Sequence, residues 1–171
     1  MTGPLHFLRL LTMTIWVGGL VFFAFVLAPT AFHTLPNVHE AGLIVGSSLR
    51  MFDRVGLACG GVFLVGTFAW SRRVRKAGFR LPQTEMLLAG AMLLLTSYLH
   101  WGILPAMDGD RERAGGDISS ASKNDPARMH FDRLHARSER VEGGVLLIGL
   151  VVIYLLSREG TQVGTRSGAT S

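Results

Sequence analysis

The sequence predicts an all-α integral membrane protein, a bundle of four transmembrane helices. Three observations predict it. Apolar residues make up 49% of the 171 residues and mean hydropathy is positive, at +0.36. The apolar residues are blocked, in long uncharged runs that alternate with charged segments, as expected where the solvent is lipid. The runs also lack the polar stripe that recurs every third or fourth residue in a soluble surface helix. One transmembrane domain over residues 1–157 and a disordered tail over 158–171 account for the length.

The first span is read as Leu5 to Leu27. It has no basic segment before it, and its uncharged part is longer than the ~7–15 residues of a signal peptide, so it reads as a retained anchor. Its one charge, Arg9, is expected to snorkel to the headgroups. Pro29 is expected to end or kink the helix. The second span is read as Val55 to Ser71, framed by Asp53 and Arg54 and by Arg72 and Arg73. Gly56 and Gly60 form a G-x-x-x-G pair, which lets helix backbones approach closely. The third, Met86 to Leu104, stops at Pro105, with Tyr98 and Trp101 placed for an interfacial aromatic belt. The fourth, Val141 to Leu156, is short, and its helix is open to an earlier start near Pro126. His39 to Phe52 is apolar but broken by glycines; it either lies in the interface or extends the second span. Asp108 to Asp125 and the tail are polar enough to predict disorder.

Net charge is +5, yet a nucleic-acid partner is not expected. Arg72, Arg73, Arg75, Lys76 and Arg80 cluster between two apolar runs, where topology needs positive charge. The positive-inside rule therefore places loop 72–85 and both termini in the cytoplasm. The single cysteine, Cys59, excludes an intrachain disulfide and reads as a small buried hydrophobe.

No nucleotide-binding, zinc-protease, hydrolase or dithiol motif is present, so an enzyme is not expected. No Asp or Glu falls deep inside the four runs as bounded above, which argues against an ion-driven pump. Histidine is the remaining polar signal. His100, His130 and His135, with Met51, Met107 and Met129 on the same outer side, are candidate ligands of a copper-type site. The alternative is ordinary hydrogen bonding at a wet interface, since His130 and His135 lie about 140° apart around a helix. Phe131 to Glu142 has the pairing of an amphipathic lead-in. It also reads as a polar lid with His135 as the switchable group.

The runs containing Trp16, Gly18 and Gly19, then Pro29 and Phe32, then Gly42, resemble the opening of the transmembrane-protein-205-like family. The later Gly102 to Met107, with Pro105, and Phe131 to Ser138, with His135, resemble its other signatures. The resemblance implies a small four-helix protein of the bacterial inner membrane with a domain of unknown function, and no established reaction. A looser similarity to copper-resistance D-type and HemJ-type membrane proteins implies haem b or copper as an alternative cofactor, although His6 and Trp16 stand farther apart than in those families. The expected activity is that of a non-catalytic accessory, permease-like or stress-related component. Its partners are the lipid bilayer and either a second copy or another membrane protein.

Overall fold

The structure, a computed structural model, describes residues 3–75 and 83–167, and the side chains of 3–72 and 83–158. Lys76 and Arg80 of the basic loop, and the last four residues, lie outside that range. The regular elements are all helical and form four rods. The first joins α1 (Gly3–Phe22), a π turn (Phe23–Leu27) and α2 (Ala28–Thr34); the second is α3 (Val38–Arg75). The third joins α4 (Gln83–Tyr98), a second π turn (Leu99–Ile103) and α5 (Leu104–Arg113); the fourth is α6 (Pro126–Ser167). Each rod contains a stretch long and apolar enough to cross a membrane.

The exterior fits an apolar solvent. Phe7, Val65, Leu87 and Leu94 are each 65–75% exposed, while Arg9, Thr12, Thr67 and Thr96 are buried. This inversion is what lipid permits, because burying leucine there releases no water.

The helices run well past their apolar runs. At 1.5 Å per residue α3 is about 57 Å long, against a hydrocarbon core of about 30 Å. The apolar runs lie toward the end carrying the termini, so the charged halves of α3 and α6 project at the opposite end, here called the loop end. His39 to Phe52 therefore extends the second span, and only Leu35 to Asn37 connect the first two rods. The Asn37 side chain accepts the His39 amide at 2.9 Å, a helix cap. The fourth rod starts at Pro126, with the Asp125 carboxylate accepting the Ala127 amide at 2.8 Å.

Neither proline ends its helix. Pro29 and Pro105 each follow a π turn, in which the Ala28 amide donates to the Phe23 carbonyl and the Leu104 amide to the Leu99 carbonyl. A proline ring ordinarily meets the carbonyl four residues back. The wider turn carries that clash site away and lets the rod continue.

Two stretches expected to be disordered are ordered in part. Helix α6 continues to Ser167 instead of stopping near Arg158. Between α5 and α6, Gly115 and Gly116 adopt φ of 82° and 97°, and the Gly116 amide donates to the Arg111 carbonyl at 2.8 Å, closing α5. Asp117 then accepts the Ser119 amide at 2.8 Å and its hydroxyl at 2.5 Å, and faces His39 Nδ1 at 3.3 Å. Composition missed this because the order comes from local side-chain bonds rather than buried apolar area. The Ser119 hydroxyl, more than any other group, holds the Asp117 carboxyl below its ordinary range. A depressed folded value means the turn is supported fully above the unfolded carboxylate value of about 3.9 and released as pH falls through the lower folded value. The Ser119 amide is expected to lose hydrogen-exchange protection over that acidic window, and Asp117→Asn to lose it at neutral pH.

The main core lies between the apolar runs, around Met13, Trp16, Val17, Phe63, Met92 and Val152. Cys59, half-buried, packs against it. The G-x-x-x-G pair works differently from the backbone approach expected. A methyl carbon on Gly56 would lie 2.4 Å from Trp16 Nε1; one on Gly60 would lie 2.6 Å from Trp16 Cζ3 and from Leu93 Cδ2. The two glycines are a socket for the Trp16 indole, which is 1% exposed. Gly19 similarly receives the Phe52 ring, whereas nothing approaches Gly18.

Arg9 does not snorkel. It is fully buried, donates from Nε to the Thr67 hydroxyl at 3.0 Å, and lies 4.8 Å over Trp70 and 5.6 Å over Phe63. A guanidinium that finds an acceptor and aromatic faces inside the bundle has no need to reach headgroups.

Candidate functional site

At the loop end the four rods enclose a crevice of about 700 Å³. Its walls are mainly apolar, with Phe23, Phe32, Leu49, Leu104 and Phe131 among them. Phe23, Leu49 and Leu104 pack on one another as a second core cluster. Leu99, Ile103 and Met107 form a third, against which Phe131 and Leu134 pack, anchoring the start of α6.

The polar part of the crevice is unevenly charged. Arg50 and Arg111 both bind the single carboxylate of Asp108, Arg111 at 3.1 Å. The Arg111 guanidinium lies 5.1 Å over the Phe131 ring, and a methyl on Gly42 or Gly46 would come within 3.9 Å of it. Those glycines are a shelf on which the guanidinium rests. Two cations on one anion leave net positive charge at this wall, while Glu139 and Glu142 line the α6 side.

One turn from Leu49 and Leu104 lie Asp53 and His100. Asp53 is 3% exposed, inside α3 rather than framing it. Asp53 lies just outside the run read as Val55 to Ser71, yet within the same helix. Glu85 and Asp110 are also buried within rods. The helix is longer than its apolar run and continues through Asp53 because α2, α5 and α6 extend beside it. His100 sits in the second π turn, and its Nδ1 faces Asp53 Oδ2 at 3.6 Å, beyond hydrogen-bond length.

The three candidate metal ligands go to three different carboxylates. His130 Nδ1 contacts Asp110 at 2.6 Å, beside the Arg113 guanidinium, which donates to the other oxygen at 2.6 Å. His135 pairs with Glu139 at 3.3 Å and stacks on Phe131. His100 pairs with Asp53. Among the described residues no three His, Cys, Asp or Glu side chains converge as a metal ion requires.

Most motif positions fall in two places, while Gly18 and Pro105 are exposed. Trp16 and Gly19 belong to the membrane core. Pro29, Phe32, Gly42, Phe131, His135 and Ser138 all line the crevice, although they come from three rods. Residues distant in sequence thus meet at one cavity.

The sequence matches the family described as Domain of unknown function (DUF4149) over residues 11–113. The chain belongs to this family. The DUF4149 match spans the first three rods and ends where α5 ends, so it includes Arg50, Asp53, His100 and Arg111. The α6 wall of the crevice lies beyond it. No curated protein and no solved structure matches this DUF4149 chain.

Proposed function

We propose that this DUF4149 protein is a non-catalytic, permease-like component of the bacterial inner membrane whose crevice takes up an amphiphile with an anionic head. The observation that carries the reading is the crevice itself: aromatic and aliphatic walls beside two guanidiniums that share one carboxylate. An acyl chain suits the walls, and a carboxylate or phosphate suits Arg50 and Arg111 by bidentate hydrogen bonding. The likeness to the transmembrane-protein-205-like family supports the same place, since most of its motif positions line this cavity. The cluster of basic residues after Arg72 supports an outward-facing crevice and cytoplasmic termini.

Binding of a fluorescent long-chain carboxylate to the purified protein in detergent tests the reading. Arg111→Ala and Arg50→Ala are each expected to weaken it about tenfold or more, because a charged hydrogen bond is worth about 1.5–3 kcal/mol. The alcohol of the same chain length is expected to bind as weakly to wild type. Equal binding of carboxylate and alcohol, with no effect of either substitution, would sink the proposal.

A further inference from the structure

We propose that Asp53 and His100 form a proton-binding site inside the bundle, beneath the crevice. The inference goes beyond the amphiphile reading and does not require it.

The first ground is the placement of ionisable residues. Between Arg9 and His33 the first rod has none. Between Arg54 and Arg72 the second has no Asp, Glu, Lys, Arg or His, nor has the fourth between Glu142 and Arg158. The third has only His100 between Glu85 and Asp108. Asp53, Arg54, His100 and Glu142 are thus one ionisable layer closing the apolar interior from the loop end. Arg54 is exposed, whereas Asp53 and His100 are enclosed, and ionisable groups facing a membrane bundle's interior are expensive and mark ion or proton sites.

The second ground is an unmet bonding demand. Asp53 Oδ2 and His100 Nδ1 are both buried, and neither has a hydrogen-bond partner. The side chains are only 4% and 10% exposed. Leaving such atoms unsatisfied is costly. They face each other 3.6 Å apart, and each offers a lone pair when the carboxylate is ionised and Nδ1 is bare. A proton placed between them makes one N–H···O bond. That bond needs closure of about 0.7 Å to reach charge-assisted length. The proton comes from water in the crevice, and the site gains one positive charge. The π turn carries His100, so a small change of that turn re-aims the ring.

The neighbours set the balance. Arg54 and Arg50 of α3 act on His100, and Asp53 and Glu139 both act on Glu142 of α6. The first rod contributes no charge at this level. Glu142 also lines the crevice, which connects the pair to water.

The test is nuclear magnetic resonance of isotope-labelled histidine in the full chain in micelles, from about pH 5 to 9, the range in which imidazole titrates. His100→Gln identifies the signal. His100 is expected to titrate in one step. Asp53→Asn is expected to move the midpoint down by about one pH unit or more, a tenfold loss of proton affinity, and Asp53→Glu to restore it. A His100 signal constant across the range, or a midpoint unchanged in Asp53→Asn, overturns the proposal. Should Asp53→Asn not fold, infrared spectroscopy of wild type decides. A carboxyl band that changes in step with His100 supports the site, and one that stays constant refutes it. No amphiphile enters this test, so its failure and that of the crevice reading are separable.

Discussion

Replacing Gly60 with leucine is expected to prevent stable assembly of the four rods. A single added carbon there already lies 2.6 Å from both Trp16 and Leu93, so a leucine must displace an indole that is 1% exposed. Indole is rigid, and its ring is held between the first, second and third rods, so little can yield. Overpacking of this kind costs about 3 kcal/mol or more, the upper end of what cores show. Gly61→Leu is the matched control, since nothing lies within 4 Å of that position. Unfolding in a denaturing detergent is expected to separate the two variants clearly. Adding Trp16→Ala to Gly60→Leu is expected to recover part of the loss, as a coupling energy between contacting residues. Equal stability of the Gly60 and Gly61 variants would remove the socket from the account. Because lipid is as apolar as the core, the packing of Trp16 rather than its withdrawal from solvent holds the rods together.

The second large effect is expected at Arg9. Arg9→Ala removes the bond to Thr67 and the stacking over Trp70 and Phe63, and leaves a space at the termini end of the core. A hydrogen bond to a charged group is worth about 1.5–3 kcal/mol and a desolvated cation–π contact about 2. These overlap, so a loss of about 3 kcal/mol is expected. Arg9→Lys keeps the charge but not the planar fork, and an intermediate loss is expected. Had Arg9 reached the headgroups, both variants would unfold within about 0.5 kcal/mol of wild type, as ordinary surface changes do. The same unfolding measurement distinguishes the outcomes.

Arg9 and Asp53 show what kind of information the sequence carried. Both are charged residues near the edge of an apolar run. By hydropathy alone they belong to the interface, and both are instead buried in the bundle. His100 reads as a ligand grouped with His130 and His135, yet its partner is Asp53, on another rod and 47 positions earlier in the chain. The crevice was legible only in fragments, as short motifs in three separate runs. The signal that would have placed Asp53 was the apolar stretch His39 to Phe52, taken as an extension of the second span despite its glycines.

By itself the sequence determined four helices long and apolar enough to cross a membrane. That is a local property, because the transfer of a helix to lipid depends on its own side chains. Tertiary structure alone decided which face of each helix turns inward. A helix exposes a new residue every 100°, so its rotation about its axis is fixed only by what it packs against. Trp16 seated on Gly56 and Gly60 sets that rotation for the first two rods. The π turn at Leu99–Ile103 resets it for the third, and brings His100 to Asp53.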